Sequence, residues 1–187
     1  MTALLSFDNV TLRRGGRVLF EGLDLALSPG EAVHVTGPNG SGKSSLIRLA
    51  AGLLRAERGQ IERGPLALAD ETLALDRELT LSRALGFWGG KVDLALDAFG
   101  LAHLEQVPVR LLSSGQAKRA TLARVMASSA PLWLLDEPLN ALDADGAERL
   151  ATLVDQHRAS GGAVLAASHQ PLAGGWRRLE LGQGSRA

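Results

Sequence analysis

Apolar and polar residues alternate from 3 to 12 and again from 17 to 27, on either side of Arg14-Gly15-Gly16. A period of two around a Gly-rich break predicts two neighbouring antiparallel strands. Residues 31–36 form a short apolar run, expected as a buried strand, and apolar spacing turns helical over 42–53. Gly59–Arg63 and Leu66–Ala69 read as two more short strands. From 80 to 128 the period is helical. Thr80 opens a helix over 81–88, a second covers 91–99, and Ser113 caps a third that runs to about Ser128. Leu132–Asp136 is apolar until its last residue, which predicts a central parallel strand buried on both faces. A helix follows at about 145–159, ended by Gly161-Gly162, and Ala163–Ala167 is another buried strand. Arg177–Leu181 reads as a last edge strand and 182–187 as a frayed tail. Strands alternating with helices predict an α/β fold with a mostly parallel sheet. To this are added N-terminal antiparallel strands and a small helical subdomain at about 75–128, within one domain over 1–187.

Composition narrows the class. A chain of 187 residues with 45% hydrophobic content suffices for one sizeable core. Its 20 basic and 20 acidic residues balance, which argues against nucleic acid as partner. With no cysteine, disulfide and thiol chemistry drop out. The start, Met1 to Asp8, lacks the charged region of a signal peptide, and no apolar run approaches the roughly 18–20 residues that span a bilayer. A cytosolic protein is expected, touching a membrane only through a partner.

Candidate chemistry begins at Gly37-Pro38-Asn39-Gly40-Ser41-Gly42-Lys43-Ser44-Ser45. This is a full G-x-x-x-x-G-K-[ST] pattern between a predicted strand and a predicted helix, the context it requires. Its glycines let backbone N–H groups converge on phosphate oxygens, and the helix that starts here points its positive end at the same anion. Lys43 adds a charge over the β- and γ-phosphates, and the Ser44 hydroxyl suits a magnesium ion. A nucleoside triphosphate with Mg²⁺ is therefore the expected ligand.

Two further segments carry chemistry. Asp136 ends a buried strand, where an acid beside a phosphate loop can hold Mg²⁺, and Glu137 next to it can act as general base on water. Leu112-Ser113-Ser114-Gly115-Gln116 opens a helix whose first free N–H groups form a second anion site. One triphosphate does not need both. The second is explained if it closes over the nucleotide of another subunit.

Taken together these segments resemble the ATP-binding cassette ATPases of membrane transporters. Leu112–Gln116 looks like the family's signature L-S-G-G-Q, Asp136-Glu137-Pro138 like its D-E-P, and Asn140-Ala141-Leu142-Asp143 like its D-loop. His169, after Ala167-Ser168, looks like its switch histidine. Order and spacing agree over roughly residues 3–181. Val18–Leu23, Trp133–Pro138 and His169–Leu172 look more narrowly like the ATP-binding subunit of the cytochrome c maturation haem exporter.

The resemblance implies a head-to-tail homodimer with two ATPs at its interface, an integral membrane transporter subunit as second partner, and a place on the cytoplasmic face of the bacterial inner membrane. It implies phosphate binding by Lys43 and residues 37–45, Mg²⁺ binding by Ser44 and Asp136, Glu137 as base, and His169 orienting the water. Ser113–Gln116 and Asp143 would serve the partner's site. Cassette ATPases acting on ribosomes or DNA resemble it less, because they bring two cassettes or a coiled-coil insertion. A transporter for another cargo differs only through the narrower segments.

Three departures stand out. The family's Gln after the strand at about 66–69 is missing from Ala69–Leu73, leaving Glu71 or Thr72 to substitute. Arg14 stands where an adenine-stacking aromatic is expected; its guanidinium can stack on a base, or simply be solvated. Ser114 replaces the first signature glycine. Phe87 and Trp88 read as core anchors of the helical subdomain rather than a groove for a partner helix. Lys118 and Arg119 read as a solvated face, and His34, His103 and His157 receive no role.

Overall fold

A computed structural model describes residues 3–72 and 74–182. Leu73, within the segment lacking the Gln, and most of the expected frayed tail lie outside the described residues. The alternating segments form β1 (Leu5–Arg14) and β2 (Arg17–Leu27), paired antiparallel around Gly15-Gly16. β3 (Ala32–Thr36) leads into α1 (Lys43–Ala50). β4 (Arg58–Arg63) returns to pair antiparallel with β1, so the first sheet has the order β2-β1-β4. β5 (Leu66–Ala69) opens a second, parallel sheet. The helices α2 (Leu81–Gly86), α3 (Val92–Ala98) and α4 (Ser114–Ala127) follow. β6 (Leu132–Asp136), α5 (Ala144–Ala159), β7 (Ala163–Ala167) and β8 (Arg177–Glu180) complete the order β5-β6-β7-β3-β8.

The parallel sheet is buried on both faces, which is why its inner strands are nearly continuous apolar runs. Leu132 and Leu134 of β6, with Leu165 of β7 and Val33 and Val35 of β3, pack against α1 and the antiparallel sheet. Trp133 and Leu135, with Val164 and Ala166, face the opposite core formed with α2 to α5. Trp133 is core: it is buried and stacks on His157 at 3.9 Å and 11°.

The helical segment departs from expectation in two places. α2 ends at Gly86, so Phe87 and Trp88 fall in the following turn and are 82% and 41% exposed rather than buried as core anchors. The core there is filled instead by Leu81, Leu85, Leu96 and Phe99. α4 is also not solvated along Lys118 and Arg119. It is clasped by α2, α3 and β5 and buries residues around much of its circumference, so even its charged side chains are drawn inward. Arg124 is buried, donates to the Leu68 carbonyl and lies 4.6 Å from the Trp88 ring centroid.

Candidate functional site

Parallel pairing aligns the carboxyl ends of three strands. Val35 and Asp136 both stand in register with Ala167, so the segments after β3, β6 and β7 emerge side by side. In open α/β sheets this edge, where strand order reverses, is where ligands bind. The phosphate-loop residues leave from β3. Gly37, Gly40 and Gly42 have φ of 143°, 80° and 104°, a backbone path that side-chain-bearing residues resist. At Gly37 a Cβ would also collide with the Leu181 carbonyl, and at Gly42 with the Leu19 side chain. Lys43 is buried and donates to the carbonyls of Gly37 (2.8 Å) and Pro38 (3.2 Å), tying the loop's start to its helix. Gly40 and Ser41 border an open cleft of about 730 Å³ that Val18 and Phe20 of β2 line on the other side. Asn39 lies on the exposed crest between Pro38 and Gly40. Arg14 reaches α1, its Nη1 3.3 Å from the Ser45 hydroxyl, so its guanidinium sits beside the phosphate loop.

Ser44 Oγ donates to Asp136 Oδ1 at 2.9 Å, bringing a hydroxyl and a carboxylate together from β6 and α1. Burial raises the pKa of Asp136, although the Ser44 bond opposes the shift. No group of three or more His, Cys, Asp or Glu able to hold a metal occurs among the described residues. One hydroxyl and one carboxylate, both oxygen donors, fit a hard cation that completes its shell with phosphate oxygens and water.

Glu137 adopts φ of 46° directly after β6, and its N–H bonds the Ala167 carbonyl. This aims its carboxylate at His169, whose Nδ1 lies 2.8 Å from Oε2 while the His169 backbone N–H donates to the same oxygen at 3.3 Å. Glu137 and His169 thus form a contacting pair beside the Ser44–Asp136 pair.

The signature residues stand elsewhere. Ser113 caps α4 with a full capping box: its hydroxyl accepts from the Gln116 N–H and the Gln116 side chain accepts from the Ser113 N–H. Gly115 abuts the turn after Asn140, since a Cβ there would sit 3.1 Å from the Ala141 carbonyl, whereas Ser114 is exposed. Ser113, Gly115 and Gln116 line a cleft of about 310 Å³ with His103, Arg119 and Asp143. Asp143 is the N-cap of α5, accepting from the Gly146 N–H at 2.9 Å. This cleft shares no lining residue with the one at the phosphate loop.

Sequence reasoning missed Lys118 and Arg119 as neighbours of the site. Burial lowers the Lys118 pKa, while the carboxylates of Asp136, Glu137, Glu71 and Asp70 pull it back up. The Lys118 ammonium therefore lies within the field of the acids at the end of β6, and Glu71, from the segment lacking the Gln, acts on the same groups. No local pattern marks a lysine two residues past a signature as inward-facing; only the burial of α4 does so.

A phosphate-loop sequence, a strand-end acid pair and a capped helix start on one α/β core are the parts of a nucleotide-hydrolysing cassette. The chain belongs to the ABC transporter family, whose model matches residues 20–140. Among its relatives is the cytochrome c biogenesis ATP-binding export protein CcmA of Sphingopyxis alaskensis, 55% identical over 181 residues, covering 92% of this chain and 93% of that one. The protein of the same name from Novosphingobium aromaticivorans is 57% identical over 169 residues, 88% of each chain. A solved ATP-binding subunit of an ABC transporter shares the fold, with a TM-score of 0.81 over 89% of this chain and 79% of that one, at 24% identity. Membership makes the chain a nucleotide-binding, ATP-hydrolysing, energy-coupling subunit with a membrane transporter as partner. No helix among the described residues is long and apolar enough to cross a membrane.

Proposed function

We propose that the chain is the ATP-hydrolysing subunit of a haem exporter that serves cytochrome c maturation, working as a nucleotide-sandwich homodimer against a membrane subunit at the cytoplasmic face of a bacterial inner membrane. The likeness to the cytochrome c biogenesis export proteins over nearly their whole length supports the export role. The observation that carries the dimer is the separation of the two anion sites. Gly40 and Ser41 of the phosphate loop border one cleft, with Ser44 bonded to Asp136 at the same helix start, while Ser113, Gly115 and Gln116 line a separate one, so one chain supplies two halves of different sites. Two copies related by a twofold axis complete both.

In each completed site the 37–45 backbone and Lys43 hold the phosphates, with Arg14 beside the base. Ser44 and Asp136 would hold Mg²⁺, which would supply charge neutralisation to the phosphates. Glu137 accepts a proton from the water that attacks the γ-phosphorus, and the bond from that phosphorus to the β–γ bridging oxygen breaks to leave ADP and phosphate. His169, held on Glu137, orients the carboxylate. Ser114 and Gly115 of one copy, whose N–H groups the capping box leaves free, present them to the γ-phosphate of the other, so hydrolysis removes what joins the halves. The exposed pair Phe87–Trp88, in edge contact at 5.5 Å, offers the membrane subunit an apolar knob, and Arg124 ties Trp88 to the end of β5.

Glu137→Gln tests the reading. The variant is expected to bind ATP as the parent does, lose at least about 100-fold in hydrolysis, and sediment as a dimer in ATP and Mg²⁺. A variant that remains monomeric with saturating ATP overturns the sandwich.

A further inference from the structure

His34 has no part in the roles above, yet its ring stands one peptide away from the Glu137–His169 pair. Val33 and Val35 turn toward α1 and the antiparallel sheet, so the alternation of β3 sends His34 to the sheet's other face. There it is half-buried, between the Ser168 carbonyl and the Trp176 ring. Its Nε2 lies 3.1 Å from that carbonyl oxygen. A carbonyl only accepts, so Nε2 carries the proton and donates it. Trp176 meets the imidazole edge to face, with centroids 6.3 Å apart at 70°. Trp176 is itself tied through Nε1 to the Ala173 carbonyl at 2.8 Å, so the imidazole is held from two sides.

The Ser168 carbonyl belongs to the peptide whose other end is the His169 N–H. That N–H donates to Glu137 Oε2 at 3.3 Å, and the His169 Nδ1 lies 2.8 Å from the same oxygen. One peptide unit therefore joins two bonds in series, from His34 to the Ser168 oxygen and from the His169 nitrogen to Glu137. Bonds linked in this way polarise one another, because a carbonyl that accepts makes the N–H of the same peptide a better donor. The segment is otherwise closely held. Ser168 is buried, its N–H bonds the Val35 carbonyl at 3.3 Å, and its hydroxyl accepts from the Gln170 N–H at 3.0 Å. Glu137 is bound to the same segment a second time, through its own N–H on the Ala167 carbonyl at 2.8 Å.

We propose that His34 is a positioning residue for hydrolysis: through the 168–169 peptide it fixes the His169 N–H on Glu137, and so sets the direction of the carboxylate that takes the proton from water. The inference rests on the reading of Glu137 as base. Among the described residues no hydrogen bond joins the His34 ring to residues 37–45, so turnover depends on it and ATP binding does not.

The test uses the full chain. His34→Leu removes the donor, whereas His34→Gln keeps an N–H at about the reach of Nε2. For each, kcat and KM for ATP are measured, and ATP affinity is read by calorimetry in the Glu137→Gln background. His34→Leu is expected to lose about three- to tenfold in kcat, the size of one hydrogen bond, with KM and ATP affinity within about twofold. His34→Gln is expected to recover most of that loss. Should His34→Leu fail to fold, His34→Asn makes the same comparison, because its amide is too short to reach Ser168. A donor-free variant that turns over like the parent overturns the inference and leaves Glu137 as base, and so does a loss that His34→Gln does not restore. A Glu137→Gln variant that hydrolyses ATP at the parent's rate removes the base reading and this inference with it.

Discussion

The phosphate loop and the signature turn each open a helix, α1 and α4, yet they are built in different ways. The loop is internally closed. Lys43 bonds carbonyls of its own loop, Ser44 bonds Asp136, and the glycines at 37, 40 and 42 all hold positive φ, with the Leu181 backbone closing on Gly37. The signature turn is closed only locally by its capping box, and its position depends on Arg119, Asp143 and the Ala141 carbonyl from distant parts of the chain. The contrast teaches that the first is held by its own loop and helix, whereas the second is a helix start whose placement is set by contacts from distant elements.

Four substitutions break or sharpen this contrast. The largest effect is expected from Gly37→Ala, because a Cβ at φ 143° collides with the Leu181 carbonyl. A loss of roughly 3 kcal/mol or more is expected, checked by chemical denaturation, with insoluble expression as the extreme. Next, Lys43→Ala should weaken ATP binding on the order of 10- to 100-fold, read by calorimetry, as befits a charge-assisted contact. Unchanged affinity would take the loop out of its role.

Ser113→Ala removes the cap of α4 and should cost about 1 kcal/mol of stability. It is expected to leave ATP affinity of the single chain as it was and to weaken ATP-driven dimerisation; weakened binding to the single chain instead would erase the distinction between the two regions. The smallest effect concerns Asp136. Its pKa is raised by burial, so the folded chain holds its proton more tightly than the unfolded chain does. The ionised carboxylate therefore costs stability at neutral pH, and that cost is relieved as pH falls through the folded pKa. Asp136→Asn should raise the melting temperature of the nucleotide-free chain at pH 7, where 1 kcal/mol corresponds to about 2–4 °C, and should flatten its rise toward acid pH. The same variant should lose the stabilisation that ATP with Mg²⁺ gives the parent.

Much of this protein was legible along the chain, for local reasons. The period of two in residues 3–27, the apolar runs of β3, β6 and β7, and the glycine spacing of 37–42 each reflect constraints that act within a few residues. Helix starts were legible where a side chain does the capping, as at Ser113. What failed was the reading of side chains whose surroundings come from elsewhere. Phe87 and Trp88 look like core by type, but α2 stops two residues before the expected end at 88, and Leu96 and Phe99 fill the core there. Lys118 and Arg119 look solvated by type, but α4 lies between α2, α3 and β5, so a charged residue there faces other charges rather than water.

The sequence by itself determined the strand and helix order, the phosphate loop, and the acids at the end of β6, because periodicity, backbone freedom and strand-end position are properties of neighbouring residues. Tertiary structure alone decided that Glu137 meets His169, that Ser44 meets Asp136, and that Arg119 joins the signature to Asp143. Each of those pairings spans at least 24 positions and exists only because the parallel register and the packing of α4 bring the ends of separate elements to one edge of the sheet.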